Sequence, residues 1–233
     1  MSPGARMIDL NADLGEEITD DAALLALVSS ANVACGYHAG NDAIMRAVCE
    51  EATRRGVAVG AQVSYLDREN FGRVSLDVTS AVLRDQVADQ VGALAAHAEA
   101  AGTTVAYVKP HGALYNRVVH DGDQATAVLD GSGQLPVLGL PGGVLLDLAA
   151  GRGRVVRREG FPDRGYTPEG TLVPRDRPGA LVQAEGDIVA HALSLAPDVN
   201  SLCLHGDSPG ALAHAVAVRR ALEAAGWGVA PCG

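Results

Sequence analysis

Apolar and polar positions along the 233-residue chain alternate between short apolar runs and longer stretches of helix formers. The short runs predict strands at residues 7–12 (MIDLNA), 31–35 (ANVAC), 57–63 (VAVGAQV), 104–109 (TVAYVK), 135–140 (LPVLGL), 154–160 (RVVRREG), 201–205 (SLCLH) and 227–230 (WGVA). They are Val-rich and read with little alternation, the pattern of strands covered on both faces of a parallel sheet. Helices are predicted within 20–30, 41–56, 79–102 and 208–226. Several of these open on acidic or capping residues and close on a glycine.

Seven or eight strand–helix units predict an α/β protein with one (β/α)7–8 barrel domain over residues 7–233; an open doubly wound sheet is the alternative. Residues 1–6 read as a flexible N-terminal extension. The longest irregular piece, "FPDRGYTPEGTLVPRDRPGA" (161–180), has the length of a lid or binding loop.

In such a fold the C-terminal strand ends share one face, and that face carries the chemistry. Polar residues collect there. They are Asn11, Asp13 and Glu16; Tyr37, His38 and Asp42; Ser64, Asp67 and Arg68; Lys109, His111, Tyr115 and Asn116; Asp163, Arg164 and Tyr166; and His205 and Asp207. This predicts an enzyme. Lys109 stands out because it is the only lysine among eighteen basic residues. At a barrel mouth an ammonium can bind a carboxylate or phosphate, or lose its proton and act as a base. Asp13, His38 and His111 together offer the carboxylate and two imidazoles of a common divalent-metal set, although their spacing is long-range. Asp42 reads as a helix cap. Cys35 and Cys203 read as small core residues.

The net charge of −10 argues against nucleic acid or an anionic membrane as partner. The one basic run, "RGRVVRR" (152–158), reads as a solvated strand edge. No apolar run has the length of a membrane helix. The four cysteines lack close metal spacing and no signal-like leader precedes them, so reduced thiols in a cytoplasmic protein are expected. P-loop, dinucleotide-binding and nucleophile-elbow motifs are absent.

Six segments in order, "IDLNADLGE" (8–16), "SSANVACGYHAGND" (29–42), "DRENFGR" (67–73), "VKPHGALYN" (108–116), "FPDRGYTPEGTLVPR" (161–175) and "CLHGD" (203–207), resemble the LamB/YcsF family, the A subunit of bacterial 5-oxoprolinase. The resemblance implies a distorted barrel of the glycoside hydrolase and deacetylase type. It implies cleavage of 5-oxo-L-proline to L-glutamate with hydrolysis of ATP, in company with subunits B and C. It directs attention to Asp13, His38, Lys109, His111 and His205 as catalytic. Asn11, Ser64, Arg68, Tyr115, Asn116 and Arg164 are the expected substrate contacts. Asp13 would be the general base, and Lys109 with Arg164 would hold the substrate carboxylate or phosphate. Replacing Lys109 by Met is expected to abolish turnover with the fold intact. A lone metal-dependent deacetylase or amidohydrolase, and a non-catalytic 5-oxoproline-binding subunit, are the rival readings. One departure stands out: Gln62 and Val63 occupy positions where the family usually has His and Pro. A glutamine can hydrogen-bond but cannot take a proton at neutral pH.

Overall fold

The computed structural model describes residues 6–18, 20–206 and 210–232, so residues 1–5 of the expected extension and Asp207 lie outside the described residues. The chain runs β1 (Arg6–Leu14), α1 (Asp21–Leu25), β2 (Ser30–Ala34), α2 (Asp42–Arg55), β3 (Ala58–Val63), α3 (Ser80–Ala100), β4 (Val105–Pro110), α4 (Gly112–Arg117) and α5 (Gly122–Gly131). It continues through β5 (Val137–Gly139), α6 (Val144–Gly151), β6 (Val156–Gly160), α7 (Glu185–Leu195), β7 (Ser201–Leu204), α8 (Ala211–Ala224) and β8 (Trp227–Val229). All eight predicted strands form. β1 starts at Arg6, one residue before the predicted run.

The strands run parallel in the order β2-β3-β4-β5-β6-β7-β1, and β1 also pairs with β2, closing a seven-stranded barrel. β8 joins Arg6–Ile8, below the segment of β1 that closes the ring. Closure rules out the open doubly wound sheet. It also corrects the reading of 152–158 as a solvated edge. β6 lies between β5 and β7, and Arg154 is buried, donating to the carbonyls of Leu129 and Leu135 and to Ser132 Oγ. At α2 the cap is Asn41 rather than Asp42; its side chain accepts from Ala43 N and Ile44 N. All four cysteines are free.

The strands alternate more strictly than their sequence suggested. Along β1, Ile8, Leu10, Ala12 and Leu14 belong to the apolar core packed between barrel and helices. The intervening Asp9, Asn11 and Asp13 are buried too, but they bond across the barrel interior to residues of other strands. The lumen is therefore polar. At its floor Asp9 accepts hydroxyl hydrogens from Ser29 at 2.6 Å and Ser30 at 2.7 Å, and from Ser201. One level up, Asn11 donates to Ser201 Oγ at 2.6 Å and Glu159 at 3.1 Å, and accepts from Asn32 at 2.6 Å. The Tyr107 hydroxyl donates to Asn32 Oδ1 at 2.7 Å. Asp9, Asn11, Asn32 and Tyr107 each find a partner on another strand, as burial away from water requires.

Tyr107 reaches this level because β3 has no side chain in its way. A Cβ at Gly60 would lie 2.2 Å from the Tyr107 ring, and the β3–β4 register shifts between Val59 and Gly60. The extra residue in β4 is a bulge, which re-aims the neighbouring side chain. Gly60→Ala should therefore lower stability by about 1–3 kcal/mol or more through overpacking. Adding Tyr107→Leu should restore part of the loss, read as paired shifts in the thermal unfolding midpoint by circular dichroism.

Candidate active site

Above the floor the lumen carries formal charge. Lys109, at the end of β4, places Nζ 3.0 Å from Asp13 Oδ1, 2.9 Å from Glu159 Oε1 and 3.1 Å from Cys203 Sγ. All four residues are buried. Burial alone would lower the lysine pKa, but Asp13, Cys203 and Glu159 raise it well above the ordinary range. These neighbours favour the ammonium over a deprotonated lysine base. Burial pushes the Asp13 carboxyl up, yet Lys109 and the neighbouring imidazoles outweigh it and hold it well below the usual carboxylate range. At Glu159 burial prevails and the pKa is raised despite Lys109. Asp13 is thus the ionised carboxylate facing the opening. Cys203 is no mere core filler, since its sulfur completes the lysine's surroundings.

The charges open into a cleft of about 510 Å³. Its walls include Asp13, Lys109, His111, Tyr115, Asn116, Phe161, Arg164 and His205. The segment after β6 forms one side through Leu172, Pro174, Arg175 and Asp176, in keeping with its reading as a lid or binding loop. It is anchored by its own arginine: Arg164 donates to Ala180 O at 3.0 Å and Val173 O at 2.7 Å. Arg164 therefore shapes the wall, with its Nε and one terminal nitrogen held by the loop. Arg73, Arg117 and His120 also line the cleft, and strand-end counting did not find them.

His205 follows β7 and stacks on Phe161 with centroids 5.4 Å apart. Its Nδ1 lies 2.9 Å from Asp163 Oδ2, and its backbone N–H donates to the same carboxylate. Burial opposes the imidazolium, but Asp163 prevails and raises the histidine's pKa. Burial likewise opposes the Asp163 carboxylate, and His205 still holds it below its ordinary value. This is a carboxylate-oriented imidazole, the arrangement that positions a proton donor.

A second buried cluster lies behind His111. Ligand-type atoms of Glu16, His38 and His111 lie within 4.8 Å of one another, and Asp13, Cys203 and His205 make a separate group of the same kind. The structure thus divides the expected trio of Asp13, His38 and His111. His38 stacks flat on His111 at 4.1 Å, and burial followed by that neighbouring ring pulls its pKa down to about 4. Gln62 Nε2 donates to Glu16 Oε1 at 2.9 Å and His111 Nδ1 at 2.8 Å. Across the ring, His111 Nε2 lies 3.3 Å from Phe71 O, so Nε2 carries the proton. Phe71 adopts a left-handed φ of 58° and Gly72 one of 68°. The Phe71 ring meets both imidazoles edge-on at 5.7 Å. A bulky residue in that region is strained, which the "DRENFGR" loop sustains while capping the cluster.

Other predicted residues fall elsewhere. Asn11 belongs to the lumen network one level below. Ser64 is buried beside Gly72, where an added Cβ would come within 2.3 Å of its hydroxyl. Arg68 bonds the Gly36 and Gly40 carbonyls and Glu17, outside the cleft walls. Tyr115 and Asn116 line the cleft, and Asn116 also donates to Gly112 O. Sequence reasoning missed Glu159, Asn32 and Tyr107. For Asn32 and Tyr107 the signal was polar residues at every second position of an otherwise apolar strand.

Comparison with known proteins gives one consistent result. The model of the LamB/YcsF family matches residues 8–233. A Streptomyces avermitilis protein named as the A subunit of 5-oxoprolinase is 55% identical over 247 residues, covering 96% of this chain and 99% of that protein. One from Mycobacterium avium with the same name is 50% identical, covering 94% and 96%. The crystal structure of a lactam utilization protein from Thermus thermophilus is 35% identical with a TM-score of 0.89, covering 96% and 99%. A family 4 carbohydrate esterase from Streptomyces lividans has a TM-score of 0.56 at 12% identity over 98% of this chain and 93% of that one, a likeness of fold alone.

Two outcomes follow from the charges. Lys109→Met leaves Asp13 and Glu159 buried together without their cation, so it should cost about 3–5 kcal/mol near neutral pH as well as activity. Stability should recover as pH falls and the carboxylates protonate, or on adding Glu159→Gln, measured by urea unfolding. For His205, the raised folded pKa means its contribution is complete below about 6.5 and fades as pH rises through the folded value. Asp163→Asn should move the His205 titration to lower pH, followed by NMR of the imidazole.

Proposed function

The chain belongs to the LamB/YcsF family, and on that premise we propose that it is the A subunit of an ATP-dependent 5-oxoprolinase, cleaving 5-oxo-L-proline to L-glutamate. The single observation that carries the reading is the charge of the cleft. In a chain of net charge −10, its walls gather Lys109, Arg73, Arg117, Arg164 and Arg175 beside the ionised Asp13. Such a lining suits a small carboxylate bearing, or lying beside, a phosphoryl group.

A lactam resists water because its amide resonance must be broken and its amine leaves poorly. Transfer of the ATP γ-phosphoryl group to the carbonyl oxygen releases ADP and makes the ring carbon electrophilic. Asp13 then accepts a proton as water adds to that carbon. His205, oriented by Asp163, delivers a proton to the ring nitrogen as the C–N bond breaks. The acyl phosphate left behind is hydrolysed by a second water to glutamate and phosphate. Lys109 keeps Asp13 ionised, and the arginines of the walls hold the carboxylate and phosphoryl oxygens. The B and C subunits are the proposed partners and the cytoplasm the proposed setting. Among the described residues no helix is long and apolar enough to cross a membrane.

The test is glutamate formation from 5-oxo-L-proline and ATP by this chain alone and with its B and C partners. Glutamate should appear only with all three, with one ADP per glutamate. His205→Asn should lower kcat by about 100-fold or more in the assembled complex. An assembled complex that makes no glutamate, with a chain that by itself releases acetate from N-acetyl substrates, would overturn the reading in favour of a deacetylase.

A further inference from the structure

The cluster behind His111 is unsatisfied in a particular way. Neither ring nitrogen of His38 has a hydrogen-bond partner although the residue is 1% exposed, and Gln62 Oε1 is buried without one too. Buried polar atoms without partners are few in folded proteins and call for a cause. Here they converge. Glu16 Oε1 lies 3.6 Å from His38 Nε2 and 3.6 Å from His111 Nδ1. Both separations are too long for a hydrogen bond. They are close to the roughly 3.3–3.4 Å edge of a tetrahedron with metal–ligand bonds of about 2.0–2.1 Å.

We infer that Glu16, His38 and His111 form a binding site for a divalent transition ion of the zinc class, with Gln62 as its fourth protein group. The donor set, one carboxylate and two neutral imidazoles, suits that class. His111 presents Nδ1 to the cluster while its Nε2–H meets the Phe71 carbonyl, the outer bond that orients a metal-bound imidazole. The Gln62 amide nitrogen bridges Glu16 and His111 and stands where a cation's charge would act. Rotating that amide by half a turn exchanges its nitrogen for the now unpartnered Oε1, so the brace becomes a ligand. Asp13 is not part of this site. Its Oδ1 is held by Lys109 and Asn32 while its Oδ2 lies 3.8 Å from His111 Nδ1, and it groups with Cys203 and His205 rather than with His38. The site stands independently of the lactam reaction proposed above.

The test uses the full chain, stripped with a chelator and titrated with Co²⁺, reading the visible absorption of the bound ion and metal per chain by elemental analysis. One Co²⁺ per chain with a low-symmetry tetrahedral spectrum is expected, displaced by Zn²⁺. Glu16→Gln and His38→Asn should each weaken binding by at least about tenfold while keeping a native circular dichroism spectrum; the loss of a ligand should match or exceed that of an outer-shell partner. Gln62→His should tighten it, and Asp13→Asn should leave it within about twofold. Absence of Co²⁺ uptake by the unaltered chain would overturn the inference. So would uptake that survives both Glu16→Gln and His38→Asn, or that is lost in Asp13→Asn alone.

Discussion

One lysine sets the terms for the interior of this barrel. Two carboxylates, Asp13 and Glu159, are buried within 3.0 Å of Lys109 Nζ, and an ionised Asp13 could not remain there without that ammonium. The ammonium lets a closed barrel keep a charged lumen. It also fixes Asp13 as an anion at the mouth. An arginine at this position would carry a planar fork where the site has room for a compact ammonium with three donors, which accounts for a single lysine in a chain that otherwise uses arginine. The levels beneath hold amides, hydroxyls and one carboxyl, Asp9, whose pKa burial raises.

The two histidine environments divide along the same axis. His205 is paired with Asp163 and favoured as the imidazolium. His38 lies against another imidazole and is kept neutral, although Glu16 is near. Two rings on one barrel face are thus prepared for different work, one to give up a proton and the other to offer a lone pair. Environment makes the distinction, as it does wherever one residue type serves two roles.

Much of this was legible in the sequence. The strands were marked by Val-rich runs between turn residues, and the gathering of polar residues after them located the face that carries the cleft. The lid-like loop was legible from length and composition, and the resemblance added the family. Other features were hidden for physical reasons. α4 begins on a glycine, α6 follows a Gly-Gly pair, and α7 begins without a side-chain cap, so the usual helix signals were weak there. Glu159 sat in a run of arginines and looked like surface, because sequence does not say which strand residues face inward until the register is known. The placing of Glu16 with His38 and His111 depends on the path of the two residues beyond the strand, which no spacing rule supplies.

β1 is paired on its flanks by β2 and β7, and at its start by β8. Its first residues meet partners more than two hundred positions later, and Asp9 and Asn11 both require Ser201. During synthesis, then, the strand that emerges first must wait for nearly the last. Until β7 and β8 arrive, two buried polar side chains lack one of their partners, Ser201, and an edge of the nascent sheet is open. Such long-range closure is slow and leaves sticky intermediates exposed. A truncation that removes β7 and β8 would therefore do more than trim the surface: it would leave the opening strand without a seat.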